Sequence, residues 1–243
     1  MDKFNNYLDE IKIEERCLMF LKTELKEEYS FDLVRDMFSL PCMEHETRHK
    51  LVLILILLEE GMVNDTIISW LVQILSNLSS DLWKEYKKRL KCYVEYQYYQ
   101  LSRSQLMLLA NTLEVMYAKG YKALKLLNLI YQRIPLSDAE FNPDSDDNIR
   151  IKLAKIAYSA TKYNLNEKFR AIKALKHHLE VSDREYLLGM LNYYKGLCLK
   201  AAGCKNGYKD STHYIQIARN RGFELAGIYL DYKAINFETS KTS

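Results

Sequence analysis

The chain has 243 residues, of which 48% are hydrophobic and 28% are charged, with a formal net charge of +3 at pH 7. This composition excludes an intrinsically disordered chain and supplies enough apolar material for a folded core. Only eight glycines and three prolines occur. The turn residues that β-sandwiches and barrels need are therefore scarce, and an all-α protein is predicted. The net charge by itself is too small to indicate a nucleic-acid-binding protein.

The sequence offers no membrane or export signal. Its longest apolar run, Leu51–Leu58, is far shorter than the roughly 20 residues that cross a bilayer, and the first residues lack the apolar core of a signal peptide. The five cysteines are odd in number and contain no C-x-x-C pair, which favours reduced, mostly buried thiols. We therefore expect a cytoplasmic protein that does not enter a membrane.

Apolar residues at three- and four-residue spacing predict helices throughout the N-terminal half. An acidic amphipathic helix is predicted over 3–28, a short helix over 31–38 before Pro41, and a long helix over 44–60. The middle of the long helix, LVLILILL, is apolar on all sides, which indicates a buried central helix.

Capping residues mark the starts of the next three helices. Asn64 or Asp65 caps the first, and Ser79 with Ser80 opens a tyrosine-rich helix. Ser102 and Gln105 form a capping box for a helix that runs to Lys119.

The C-terminal half is predicted to contain helix pairs joined by short polar turns. Gly120 ends one helix, and an acidic loop over 135–147 is the one long connection. A capping box of Ser182 and Glu185 opens the clearest pair, whose second helix is predicted to be capped by Asp210. The predicted segments of this half are 122–133, 148–163, 167–179, the pair 182–221, and a last helix over 223–235.

Three of these pairs have the same sequence pattern: the first helix ends in aromatic residues, a short polar turn follows, and a second helix begins. Their spacing is looser than the 34 residues of a regular tetratricopeptide repeat. We therefore predict a right-handed superhelical stack of degenerate tetratricopeptide-like helix pairs. The predicted organisation is an N-terminal helical cap (1–40), a repeat domain (41–235) and a flexible tail (236–243).

The strongest match to a catalytic motif is His45-Glu46-Thr47-Arg48-His49, which fits the H-E-x-x-H pattern of zinc peptidases. Arg48 and Lys50 place charges where such enzymes bury uncharged residues, so a solvated helix start is favoured over a metal site. His177 and His178 point about 100° apart on a helix and cannot share an ion. No catalytic residue, metal or cofactor is predicted, and a zinc peptidase is retained only as a minor alternative.

A basic run between Asn148 and Lys176 holds eight lysines and arginines opposed only by Glu167. Lys155, Tyr158 and Lys162 have the spacing of one helix face. The run is interpreted either as a groove for a carboxylate-ended peptide or a phosphate backbone, or as a solvated surface balanced by the acidic loop. The tyrosine-rich segment 93–99 also has two interpretations, a binding surface or the rim of the core, and the core is favoured.

Three stretches carry a family resemblance: 34–93 (VRDMFSLP to KCY), 105–134 (QLMLLANTLEVMY to QRI) and 191–232 (LNYYKGLCLKAAG to LDY). Together they resemble the arbitrium peptide receptors of Bacillus phages, AimR-type members of the Rap–NprR–PlcR–PrgX group of quorum-sensing regulators. The resemblance covers most of residues 30–235. Those receptors begin with a helix-turn-helix domain, whereas a segment of about 30 residues with a net acidic character precedes the repeats in this chain.

The resemblance implies a phage or prophage regulator of lysis and lysogeny that binds a short signalling peptide or a partner protein in its helical groove. It also implies a homodimer formed through the C-terminal helix, at Leu225 and Tyr229. Without the helix-turn-helix domain, direct DNA binding is not expected; a DNA-binding regulator with full AimR-like activity is the alternative. The binding residues that the resemblance implies are Asn148, Arg150, Lys155, Tyr158, Lys162 and Asn192.

Overall fold

The computed structural model describes residues 44–59, 61, 63–136, 145–180, 185–201 and 207–239. All regular secondary structure in these residues is helical, which confirms the all-α prediction. No helix in these ranges has both the length and the apolar character needed to cross a bilayer. The described α-helices are α1 (Glu44–Glu59), α2 (Asp65–Ser76), α3 (Ser80–Gln97), α4 (Arg103–Ala118), α5 (Leu124–Arg133), α6 (Asp146–Tyr158), α7 (Leu165–Glu180), α8 (Glu185–Ala201), α9 (Gly207–Asn220) and α10 (Glu224–Thr239).

The chain divides into two compact units, unit 1 (Met1–Gln105) and unit 2 (Leu106–Ser243). This division falls inside the range 41–235 that the sequence predicts as one repeat domain. The predicted N-terminal cap, 1–40, lies outside the described residues. Helix α10 continues to Thr239, so it extends into the range predicted as a tail.

Unit 1 is built around α1. The apolar run of this helix is buried at every position whose side chain the structure describes, which confirms the predicted central helix, and α1 packs against both α2 and α3. Two ion pairs tie α1 to α3: Arg48 contacts Glu85 at 2.8 Å, and Arg89 contacts Glu59 at 2.7 Å.

Several of the predicted capping residues begin or end helices where the sequence indicates. Asn64 accepts a hydrogen bond from the Ile67 amide at 2.9 Å at the start of α2. The Ser102–Gln105 capping box is confirmed, because each side chain accepts from the other residue's amide, at 3.2 and 2.9 Å. Gly120 takes a left-handed φ of +84° after α4, which a residue with a Cβ adopts only with strain.

One helix prediction is wrong in its length. The helix predicted over 148–163 begins two residues earlier, capped by Ser145, and ends at Tyr158. The chain becomes extended at Thr161, which forms a second capping box with Asn164 around a short 3-10 turn, Lys162–Asn164. Lys162 therefore does not share a helix face with Tyr158. The T-x-x-N spacing that accompanies this break is visible in the sequence, so the signal for the shorter helix is local.

The second helix of the predicted 182–221 pair also starts earlier than expected. It begins at Gly207, which places Asp210 in the first turn of α9 and not at its cap. An acidic residue in the first turn still stabilises the helix through its dipole.

Helix α8 is the centre of unit 2, where it packs against α6, α7 and α9. Its contact with α9 is close because Gly196 faces that helix. A Cβ at Gly196 would lie 2.6 Å from Ile215 Cγ1 and 2.9 Å from the Ser211 carbonyl oxygen. The second of these atoms belongs to the backbone, so a side chain at this position cannot be accommodated by rotating a neighbour.

Replacing Gly196 by alanine should therefore destabilise the protein, although alanine favours helix formation. Overpacking costs about 1–3 kcal/mol. Gly227 on α10 is the matched control, because a Cβ added there would have no atom of a neighbouring element within 4 Å, and Gly227→Ala should stabilise by about 0.5–1 kcal/mol. Urea unfolding of both variants measures the difference; a Gly196→Ala variant as stable as Gly227→Ala would contradict the close approach of α8 and α9.

Candidate functional site

Three helices of unit 2 surround a cleft of about 760 Å³. Each contributes residues at helical spacing, so that each turns one face to the cleft. Helix α8 is flanked by α7 on one side and α9 on the other, and its residues lie midway along the lining. The lining residues are Phe169, Ile172, Lys173 and Lys176 of α7, Leu191, Lys195 and Leu199 of α8, and Asp210, His213 and Tyr214 of α9.

The cleft combines an apolar floor with a basic rim. Ile172 and Leu191 are buried at its base. Lys173 and Lys176 are exposed on α7, and Lys195 is half-buried on α8. Three lysines thus face one acidic residue, Asp210, so the lining attracts anions while the floor favours an apolar group.

Lys195 is held in a defined place. Its Nζ lies 3.8 Å from the centre of the Tyr214 ring on α9. An ammonium group in this position is attracted by the ring's electron-rich face. Tyr214 in turn contacts the His213 ring edge to face, with 5.6 Å between ring centres. The side chain that carries the central positive charge of the cleft is therefore braced by an aromatic wall.

The position of α8 depends on a buried carboxylate on α4. Glu114 is fully buried. Its Oε2 accepts a hydrogen bond from Arg150 of α6, and its Oε1 accepts from the hydroxyls of Tyr158 on α6 at 2.9 Å and Tyr194 on α8 at 2.6 Å. One side chain thus joins three helices of unit 2. We call Glu114, Arg150, Tyr158 and Tyr194 the Glu114 cluster.

The electrostatics of the Glu114 cluster are those of a buried ion pair with neutral phenol donors. Burial by itself would lower the pKa of Arg150, but the negative charge of Glu114, its hydrogen bond and the neighbouring tyrosines together outweigh burial and raise the pKa. Burial, reinforced by the charge of Glu114, raises the pKa of Tyr158 and Tyr194 well above the ordinary value. Both phenols therefore stay protonated and continue to donate to the carboxylate at physiological pH.

Aromatic packing encloses the Glu114 cluster. Tyr131 of α5 stacks on Tyr158 with 5.5 Å between ring centres, and Tyr158 meets Tyr194 edge to face at 6.0 Å. Tyr193 continues the array towards Phe223, at 5.3 Å. These rings shield the Glu114 carboxylate from water and extend its packing from α5 to the start of α10.

Four of the predicted binding residues are buried or half-buried on α6, and none of them lines the cleft. Asn148 and Tyr158 are buried, and Arg150 pairs with Glu114. Lys155 donates to the Ile134 carbonyl oxygen at 2.8 Å, and burial lowers its pKa. Asn148 and Tyr158 are thus enclosed, while Arg150 and Lys155 are half-buried and direct their charges to partners within unit 2. A partner 36 residues earlier in the chain draws Arg150 inward, and the role of these residues in binding stays a prediction.

The other predicted residues are scattered. Asn192 donates to the Leu188 carbonyl oxygen at 2.7 Å on its own helix, and the side chain of Lys162 lies outside the described residues. Leu225 and Tyr229 are buried within unit 2, so they do not form the outer surface of α10 as a dimer contact requires. Asn192, Leu225 and Tyr229 therefore stand apart from the residues that line the cleft.

The cleft does use the C-terminal end of the predicted basic run, where Lys173 and Lys176 lie. The lining residues on α8 and α9 were not predicted from the sequence, because nothing in a single sequence states which helix faces meet. Glu114 was not predicted either, although the sequence contains a signal for its burial. This acid falls on the apolar stripe of α4 with Ala110 and Leu113, both of which are buried.

The other motifs noted in the sequence contribute no site among the residues that the structure describes. The side chains of His45, Glu46, His49, His177 and His178 lie outside the described residues. Within the described part of the chain, no three metal-binding side chains cluster. In the tyrosine-rich segment, Tyr93 is buried as core, while Tyr96 and Tyr99 are exposed on unit 1.

Comparison with known proteins yields no match: no protein-family model, curated protein or solved structure resembles the chain closely enough to be significant.

Replacing Glu114 by glutamine should strongly destabilise unit 2, because it leaves the Arg150 cation without its counter-ion. Breaking one side of a buried pair costs about 3–5 kcal/mol. The control is Asp231→Asn, which breaks an exposed pair with Arg219 (3.2 Å) and should cost less than about 1 kcal/mol.

Denaturant unfolding measures both losses. The double variant Glu114→Gln/Arg150→Met should recover part of the stability, since it also removes the stranded charge. Equal, small effects of Glu114→Gln and Asp231→Asn would show that the Glu114 cluster does not hold the helices together.

Proposed function

We propose that unit 2 is a peptide-binding receptor module, whose cleft between α7, α8 and α9 binds a short peptide, or an equivalent segment of a partner protein, that carries a carboxylate. The observation that supports this proposal is the combination of a buried apolar floor, Ile172 and Leu191, with three lysines in the lining. Apolar side chains provide affinity, and the charged groups select and orient the ligand.

The size of the cleft suits a short ligand. Its volume of about 760 Å³ falls within the range of about 300–1,000 Å³ for small-ligand sites. The α8 lining runs from Leu191 to Leu199, which corresponds to roughly 12 Å along a helix. About four residues of an extended peptide cover that distance.

The regulatory role that we propose combines this cleft with the AimR-type resemblance. The protein would act in the cytoplasm of a bacterial host as a phage or prophage regulator of lysis and lysogeny, and it would bind its ligand without contacting DNA itself. The tight pairing of α8 with α9, and of α9 with α10, supports a stack of tetratricopeptide-like helix pairs. No catalysis is proposed for the cleft.

Direct DNA binding is the second candidate function. It is favoured by Arg170, Lys173 and Lys176, which lie on the exposed side of α7, because a basic helix face attracts phosphates. Against it, the same lysines border a concave apolar floor that a phosphate backbone does not use. A steep loss of affinity with rising salt would identify this function.

The peptide proposal predicts that a subset of short carboxylate-bearing peptides raises the melting temperature of the protein. A ligand at a hundred times its Kd adds about 2.7 kcal/mol, or roughly 5–10 °C for a chain of this size. Lys173→Glu should weaken the effect by reversing a charge at the rim. Arg170→Glu is the matched control, since it makes the same charge change on α7 outside the lining.

This prediction is tested by thermal unfolding of the wild type and both variants with a panel of tetrapeptides and pentapeptides. The absence of any shift across the panel, together with salt-dependent binding of duplex DNA, would replace the peptide proposal by the second candidate.

A further inference from the structure

Lys195 differs from the other two lysines of the cleft in where its charge is held. Lys173 and Lys176 lie at the rim, whereas Lys195 is half-buried on the central helix. It lies between Leu191 and Leu199, one turn away on either side along α8. A charge in this place is flanked by apolar surface in both directions along the cleft.

The ammonium group of Lys195 is also oriented before any ligand arrives. The 3.8 Å distance from its Nζ to the Tyr214 ring centre leaves the face of the ammonium away from the ring to donate hydrogen bonds. A flexible lysine loses side-chain entropy when it binds an anion. The ring removes part of that loss in advance, which is the advantage of preorganisation.

These two features determine what the position can recognise. A carboxylate bound at Lys195 lies beside Leu191 and Leu199, so it loses part of its hydration and gains a charge-assisted hydrogen bond in its place. An amide at the same point would leave the ammonium partly desolvated without an anion. Lys195 therefore discriminates between a carboxylate and a neutral group more strongly than Lys173 and Lys176 at the rim do.

We infer that Lys195, braced by Tyr214, is the specificity-determining residue of the cleft and that it selects ligands in which a carboxylate is flanked by apolar groups. This inference rests on the proposed peptide-binding function, and it adds the residue that selects the ligand and the apolar groups that flank the ligand's carboxylate. Lys173 and Lys176 act at longer range: they raise the association rate and its dependence on salt. The carboxylate can belong to a C-terminus or to an acidic side chain.

The test uses a pool of acetylated tetrapeptides rich in leucine, each made in three forms. One form has a free C-terminus and no acidic side chain, one has a C-terminal amide and no acidic side chain, and one has a C-terminal amide and a single glutamate. Binding to the full chain is measured by isothermal titration at fixed salt. The comparison of the first two forms needs no variant, so it does not depend on whether a substitution disturbs folding.

The wild type should bind the preferred carboxylate form at least about 30-fold more tightly than the neutral amide, as expected when a desolvated charge pair loses one partner. Lys195→Met should abolish this discrimination, so that the carboxylate and amide forms bind alike. Tyr214→Leu should lose about two- to thirtyfold in affinity, the range between an exposed and a desolvated cation–π contact. Tyr214→Phe keeps the ring and should match the wild type.

Three outcomes would overturn the inference. If peptides bind but the carboxylate and amide forms bind equally, the peptide-binding function stands and the role of Lys195 is wrong. If Lys173→Gln removes the discrimination and Lys195→Met does not, the selecting charge lies at the rim. If no peptide of the pool binds in any form, the proposed function and this inference fail together.

The same titrations identify the source of the carboxylate. It is the C-terminus if the first form binds best, and a side chain if the third form binds best.

Discussion

Unit 2 is arranged around one constraint, the burial of the Glu114 carboxylate. An ionised carboxyl group removed from water costs several kcal/mol unless charge and hydrogen bonds replace the lost hydration. Arg150 and two tyrosine hydroxyls provide that replacement. Because those donors come from α6 and α8, the carboxylate on α4 can be satisfied only when the three helices take one mutual arrangement. The Glu114 cluster thus favours a single packing where leucine-rich helices would otherwise have several.

The cleft inherits its shape from that arrangement. Helix α8 presents Tyr194 to the Glu114 cluster and Lys195 to the cleft, and successive residues on a helix point about 100° apart. The two neighbouring faces cannot move independently. Gly196 adds a second restraint, since it allows α9, which carries Tyr214, to approach α8 closely. A ligand that contacts Lys195 therefore meets a wall that the interior of unit 2 has already positioned, which lowers the cost of ordering on binding.

Local signals in the sequence predicted much of the fold and little of the site. Asn64, the Ser102–Gln105 box and Gly120 act within a few residues of themselves, so their patterns could be interpreted without knowledge of the tertiary structure. Arg150 could not be interpreted in this way. Its partner lies 36 residues earlier, and a charged run is ordinarily solvated, so the sequence did not indicate that the structure draws this side chain inward to a buried carboxylate. The cleft has the same difficulty, since it requires knowing that α7 and α9 flank α8.

The most direct test of a recognition site in unit 2 is a methyl-resolved NMR titration of the full chain with the leucine-rich carboxylate tetrapeptides. Saturable shifts should appear at the methyl groups of Ile172, Leu191 and Leu199, which line the cleft. The methyl groups of Ile67 and Leu71, buried in unit 1, should not respond. Shifts confined to unit 1, or no saturable shift at the three cleft residues, would contradict the account.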